Sequence, residues 1–496
     1  MHQSADKPNQ KSLSPFVLSM MITAIVIGLE GLPDMASYGL SLVTFYVFFA
    51  IVYFIPITLV TAELGAGWPG RGGIYLWIKT GLGKRMAFLG VWCQWMQVVV
   101  WYPSVLAFAT AAIAYMFDPD LAENWRFLVP VNLSVFWVAT LLNFGGLRWS
   151  GILTTFCLYV GTLFPLLLII IMAVYWLISG HPSQTPLEPK YLIPDLTSVG
   201  RIVMVLMVFS FLSGLEVNAV HFRRTERPKR SIPLAVFISF VIILSVSILG
   251  ALAVAIFVPI NNLELQSGPL QVFETFFHEF GFEWALPVMA ACVAIGAIGH
   301  IIVWIIGPTE ALSVAAHDGV VPPFLQGRNS AGVPVAMLLV QGVVVTALSI
   351  VMGMININAG FAIVTLVSGM VYLVMYALMF ITCLVLRYKH PHVERSYKIP
   401  GGWIGIWLLV GVGTITCIAG IVLSCFPPEA TTETAFVEAA GENWKLMWVI
   451  YTVPAFVIIV IVPFIIYAFR RPHWAPPEEL LAHENVETSA HQKEVH

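Results

Sequence analysis

Apolar runs long enough to cross a bilayer dominate this chain and leave few folds open to it. Spanning the hydrocarbon core takes about 20 apolar residues. Twelve such runs lie near 14–33, 40–66, 86–117, 127–144, 152–178, 200–220, 233–258, 284–316, 335–352, 358–386, 402–425 and 445–469. Two of them carry helix-breaking interruptions. The first breaks at Gly28-Leu29-Glu30-Gly31-Leu32-Pro33 and the second around Ser213-Gly214-Leu215-Glu216. An interruption leaves backbone N–H and C=O groups free at membrane depth, which is tolerated only where they face protein, water or a ligand. Paired interruptions in corresponding halves are the best sequence pointer to a binding site at the membrane midplane.

Composition agrees. Of 496 residues, 59% are hydrophobic and 10% charged, and the mean hydropathy is +0.87. A soluble domain carries about 25% charged residues. With both termini on the cytoplasmic side, 20 of the 24 basic residues fall on that side, and only Arg126, Lys190, Arg201 and Lys445 fall on the other. The positive-inside rule therefore predicts an N-in, C-in topology, with no Lys or Arg inside a span.

The chain divides into a cytoplasmic segment over 1–13, a twelve-helix domain over 14–470 and a cytoplasmic tail over 471–496. The polar start, MHQSADKPNQKSLSP, lacks the early apolar core of a signal peptide. The tail is rich in Pro, Glu and His and reads as disordered. Its His473, His483, His491 and His496 suggest a pH-sensitive plug on the basic inner loops. Cys93, Cys157, Cys292, Cys383, Cys417 and Cys425 show no metal spacing and read as small apolar residues. No cofactor or metal is expected. The basic clusters sit beside spans, where topology explains them, so no nucleic-acid partner is expected; the surroundings are the lipid bilayer. No span carries a paired aspartate, a Ser/His pair or a metal-ligand spacing, so an enzyme is not expected.

Residues 209–235 read FSFLSGLEVNAVHFRRTERPKRSIPLA. This resembles the amino acid–polyamine–organocation superfamily: G-x-E (Gly214, Glu216) in a broken helix 6, then an inner loop with Glu226, Pro228, Lys229 and Arg230, and Pro233 opening helix 7. FIPITLVTAELGAGWPGRGGIYLWI (54–78) is similar to helix 2 and the glycine-rich inner loop of these permeases. WIIGPTEALSVAAHDGVVPPFLQGRNSAGVPV (304–335) is similar to the end of helix 8 and its loop. LRYKHPHVERSYKIPGG (386–402) and CFPPE (425–429) resemble the bacterial glutamate/γ-aminobutyrate antiporter branch. The likeness covers about 14–470.

The resemblance implies an all-α, LeuT-type fold: a 5+5 inverted repeat with broken helices 1 and 6, plus two extra helices. It implies a transporter in a bacterial inner membrane that exchanges an amino acid for a related amine or amino acid, glutamate and γ-aminobutyrate being the first pair to consider. A sodium- or proton-coupled symporter, and an antiporter of neutral amino acids or amines, are the alternatives. In the superfamily, unwound helix 1 holds the substrate carboxylate and unwound helix 6 the amine. The first suits the positive end of a half-helix, and the second suits free carbonyls. Two departures stand out. The Gly-small-Gly signature of helix 1 is Val26-Ile27-Gly28 here, and the helix 5 lysine of some proton-coupled members is replaced by the Thr154-Thr155 region, the one visible candidate for an ion site.

The candidate substrate-binding residues are Ile27, Gly28, Glu30 and Gly31 in helix 1, and Gln97 and Trp101 in helix 3. Helix 6 contributes Phe209, Ser210, Ser213, Gly214 and Glu216, helix 8 contributes His300, and helix 10 contributes Tyr372. Glu30 is either a functional carboxyl or a structural acid bonded to unwound backbone. Glu216 reads first as an acid that stabilises the helix 6 break. His300 either meets substrate, senses pH, or is a neutral core histidine. Ser210 stands where some superfamily members place a gating aromatic, with Phe209 and Phe211 beside it. Gln97 and Trp101 share a face at i, i+4, as do Tyr372 and Tyr376, which suggest an outer closure. Glu63 and Glu310 read as structural or gate elements near inner helix ends, His221 as structural, and Asp34 as a lining of the outer path.

Overall fold

The computed structural model describes residues 14–68, 72–145, 156–197, 199–217, 228–354, 357–428 and 441–474. Among them every regular element is helical. In chain order the helices are α1 (Pro15–Val26), α2 (Leu32–Ala36), α3 (Leu42–Phe49), α4 (Ile55–Gly67), α5 (Ile74–Leu82), α6 (Lys84–Ala114), α7 (Trp125–Asn143) and α8 (Phe164–Ile178). They continue as α9 (Val199–Val205), α10 (Val208–Phe211), α11 (Pro228–Phe257), α12 (Gly268–Phe280), α13 (Leu286–His317), α14 (Val335–Met354), α15 (Ile357–Lys389), α16 (Gly402–Ser424) and α17 (Trp444–Ala468).

Ten continuous helical stretches among the described residues are long and apolar enough to cross a membrane. The apolar runs near 14–33 and 200–220 are not among them, and the reason is local. Ser14 caps α1, its side chain accepting from the Val17 N–H. The helix then stops at Ile27, whose backbone turns extended, and restarts as α2 after Gly31. The second run is cut into α9 and α10, and the chain leaves the helix at Ser213 and Gly214. A single helical turn spans Leu215–Val217.

The bundle is built around α6. In its apolar window 94% of residues are buried, against 11% in α17, so α6 runs through the middle and α17 lies on the rim. α6 packs against α13 and α15, α1 packs against α11, and α16 lies against α15. A π-helical turn at Ala50–Phe54 joins α3 to α4, and another at Tyr159–Leu163 precedes α8. At the second, Gly161 meets Gly296 of α13 so closely that a Cβ on either would overlap the other's backbone. Such contact between small residues lets helices pack tightly where lipid supplies no hydrophobic drive.

The helix of the run near 358–386 continues through Lys389, so Arg387 stands in its last turn. It pairs with Glu63 there, which removes the cost of an isolated buried charge. The residues of the pH-sensitive plug beyond 474, together with 1–13, Thr154-Thr155 and His221, lie outside the described residues.

Candidate functional site

The two broken helices meet, and each break is held by its own polar cluster. In the first, α1 ends at Ile27, and Gly28 sits so close to the Glu30 carboxylate that a Cβ would clash with it. Glu30 is buried, and its Oε1 lies 3.0 Å from His300 Nδ1 on α13. His300 Nε2 lies 2.9 Å from Trp304 Nε1 and 3.2 Å from the Ile25 carbonyl oxygen. The histidine thus touches both sides of the break, Ile25 before it and Glu30 after it.

The chemistry of these contacts is decided by which atoms can donate. An indole N–H only donates, so Nε2 accepts from Trp304 when the imidazole is neutral, and Nδ1–H then donates to Glu30. A carbonyl only accepts, so the Ile25 contact becomes a hydrogen bond when Nε2 carries a proton. His300 therefore has two bonding patterns around one break. Trp101 of α6 closes the group, its ring centre 5.3 Å from that of His300 and 6.0 Å from that of Trp304.

The second cluster holds helix 6. Gly214 has φ +108°, a left-handed conformation that suits glycine. Its N–H donates to Tyr376 Oη at 2.9 Å. Two residues on, buried Glu216 accepts from Tyr372 Oη at 2.5 Å, Tyr376 Oη at 2.6 Å and Gln94 Nε2 at 3.1 Å. Three donors onto one carboxyl match an acceptor-only carboxylate. Ser213 Oγ donates to the Phe209 carbonyl and lies 2.8 Å from Tyr53 Oη.

The clusters abut. A Cβ on Gly214 would lie 3.0 Å from the Trp304 ring and 3.3 Å from Ile25 Cγ2. A Cβ on Gly31 would lie 2.6 Å from the Phe211 ring. Ile27, Gly28, Glu30, Gly31, Trp101, Gly214 and His300 thus share one junction. Ser213, Glu216 and Tyr372 share the adjoining tyrosine cluster. Phe209 adjoins the tyrosine cluster through Tyr53, edge-on at 4.5 Å, and packs also against Phe49 at 4.9 Å and Gly420 of α16. Gln97 bonds Ser368 Oγ at 3.1 Å and joins neither group. The Ser210 side chain lies outside the described residues.

Sequence reasoning left out Trp304 and Tyr53, and it read Tyr376 and Phe211 only as closing groups. Trp304 follows His300 by one helical turn and Tyr376 follows Tyr372 likewise, so i, i+4 spacing was the available signal.

The opposite end of the bundle is tied by ion pairs. Glu63 takes Arg387 Nε at 2.8 Å, Arg387 Nη2 at 2.5 Å and the Ile399 N–H at 2.8 Å. Glu310 takes both Arg328 Nη atoms, at 3.0 and 2.9 Å. Asp318 accepts from Lys79 Nζ and, at 2.5 Å, from Tyr75 Oη. Burial pushes the Asp318 carboxyl up, but the Lys79 and Tyr75 bonds outweigh it and hold the group below the usual aspartate range.

Comparison with known proteins agrees with this architecture. Residues 13–462 match the family model for amino acid permeases. An uncharacterised transporter of Legionella pneumophila is 38% identical over 85% of this chain and 91% of its own length. A glutamate/γ-aminobutyrate antiporter of Lactococcus lactis is 28% identical over 98% of this chain and 94% of its own. A probable agmatine/putrescine antiporter of the same species is 22% identical over 84% and 89%. Family, relatives and the ten apolar spans agree: this chain is a multi-pass membrane transporter, not an enzyme, and belongs to the amino acid permease family of the amino acid–polyamine–organocation superfamily.

Proposed function

We propose that the protein exchanges an amino acid for a related amine or amino acid by alternating access, with glutamate and γ-aminobutyrate as the first pair to test. The scaffold in this reading is LeuT-type: twelve membrane helices, two inverted five-helix units, and two helices added at the end. Counting the two interrupted runs with the ten continuous spans supports twelve. The distribution of basic residues supports cytoplasmic termini, and the bacterial antiporter relatives support a bacterial inner membrane.

The observation that carries the reading is the junction of the two breaks, where Gly31 meets Phe211 and Gly214 meets Trp304 and Ile25. A substrate seated at that junction touches both halves of the bundle, so its binding energy can favour one arrangement of the halves over another. Glu30 and Glu216 supply acceptors for an ammonium group. Among the described residues at the junction, His300 is the side chain that becomes a cationic donor on protonation, and in this reading it meets the distal carboxyl of glutamate.

A second reading follows from the balance of charge. Two buried carboxyls against one imidazole favour an amine over an acidic amino acid, and a probable agmatine/putrescine antiporter is among the relatives. Counterflow in proteoliposomes separates the two. Vesicles preloaded with unlabelled γ-aminobutyrate, glutamate, putrescine or neutral amino acids receive labelled glutamate outside. Uptake only with particular internal substrates establishes exchange and names the pair. Uptake that needs no internal substrate and follows a sodium or proton gradient replaces exchange with symport. Labelled putrescine moving where glutamate does not selects the amine.

A further inference from the structure

Four carboxyl side chains are buried among the described residues: Glu30, Asp34, Glu63 and Glu216. Three are satisfied. Glu30 has His300, Glu63 has Arg387, and Glu216 has two phenols and an amide. Asp34 is fully buried, and neither of its carboxyl oxygens has a hydrogen-bond partner. We propose that Asp34 is a proton-binding site, loaded while the α2 end of the bundle is closed and emptied when that end opens.

An ionised carboxylate without a partner, buried away from bulk solvent, costs many kcal/mol, whereas the neutral acid costs a lone polar group. The form compatible with this packing is COOH. One proton adds to one carboxylate oxygen from water, and no other bond is made or broken. Hydration reverses the balance, because an aspartate in water gives up its proton at neutral pH.

Location makes this a site that changes with transport. Asp34 sits in α2, the short helix just past the break. Leu32 lies against Gly250 of α11, and Pro33 against Gly268 at the start of α12. The neighbouring loop is tied down by Thr44, whose hydroxyl donates to the Leu192 carbonyl at 2.6 Å. Glu63 and its ion pairs lie farther along the helical stretch that carries Thr44, about 30 Å from Thr44 by helix rise. Moving α2, α12 and this loop apart exposes Asp34 to water at its own end only.

The groups facing it are few. From α3, Tyr46 is in electrostatic reach and bonds Ser247 of α11. The basic residues of α11 stand at its opposite end. The turn before α12 brings Glu264, and α12 itself brings Glu274, His278 and Glu279, none of which bonds Asp34. α9 adds no described titratable side chain.

That opening discharges the proton rests on the alternating-access reading; that Asp34 is neutral when buried does not. The test therefore has two parts, each on the full-length protein. Asn is the neutral isostere of a protonated Asp. Purified wild type gains thermal stability from about pH 7.5 to about pH 5.5, and Asp34→Asn at the higher pH already matches wild type at the lower one. An Asp34→Asn protein that is less stable than wild type at both pH values, or that does not accumulate, overturns the proposal, because it marks a structural carboxylate. In proteoliposomes, wild-type exchange varies with the pH on the α2 side, and Asp34→Asn flattens that profile with substrate KM unchanged. A retained wild-type profile, or a dependence on sodium instead of pH, overturns coupling. If wild type exchanges nothing, the exchange reading fails while the stability comparison still decides the protonation of Asp34.

Discussion

Glu30 Oε1 and His300 Nδ1 are 3.0 Å apart, although 270 positions of chain separate them. The contact bolts the segment after the first break to α13. Removing His300 leaves Glu30 buried without a counter-group, which costs about 3–5 kcal/mol. His300→Ala is expected to cut exchange by at least about tenfold and to lower Tm. Glu30→Gln is expected to cost less, since a neutral amide needs no counter-charge. A double-mutant cycle on Tm checks the pair and should return a coupling of about 1–3 kcal/mol; no coupling would show that the two groups act separately.

Gly214 has no room for a side chain. Its φ of +108° is unfavourable for any L-residue, and a Cβ would press on Trp304 at 3.0 Å. Gly214→Ala is expected to cost about 1–3 kcal/mol in strain. It should also push Trp304 off His300, so exchange falls further than stability does. Counterflow rate and Tm measured on the same preparation make the comparison.

Tyr372 and Tyr376 both donate to Glu216, but Tyr376 also accepts from the Gly214 N–H. Losing a donor from a buried carboxylate costs about 1–3 kcal/mol. Tyr376→Phe breaks two bonds and should be the worse of the two substitutions. Equal loss of Tm and exchange in Tyr372→Phe and Tyr376→Phe would show that the Gly214 bond contributes nothing.

Acid should strengthen the α12 end of the molecule. Glu264 lies in the turn that leads into α12 and bonds Ser267. Burial pushes its carboxyl above the usual glutamate range, and neighbouring Glu123 and Glu274 add to the rise despite the Ser267 bond. A carboxyl raised on folding binds its proton more tightly in the native state. Its stabilisation is therefore present at acid pH and is lost as pH rises through the folded value. Asp318, held low by Lys79 and Tyr75, works in the opposite sense, and its contribution is lost only below the usual aspartate range of about 3.9. Above that range, Glu264→Gln should therefore be less pH-dependent in Tm than wild type. Identical pH profiles would place the titration elsewhere.

Hydropathy and periodicity are local, and what they determined is local. The positions of both breaks were legible where Gly28 and Gly31 flank Glu30 and where Gly214 stands two residues before Glu216; proline alone is no such signal, since Pro103 and Pro308 lie inside continuous helices. So was the presence of costly polar groups at membrane depth, Glu30, Glu216 and His300 among them. Which polar group answers which was not legible, since Glu216 finds Tyr372 and Tyr376 across 156 and 160 positions. Phe209 and Phe211 make the same point. In sequence they were equal candidates to close the site. In the fold Phe211 lies on Gly31 at the junction, while Phe209 turns to Tyr53, Phe49 and Gly420. Two positions along a helix rotate a side chain by about 200°, so residues that are neighbours in the chain face different partners. Only the packing of the helices around them decides which partner is the site.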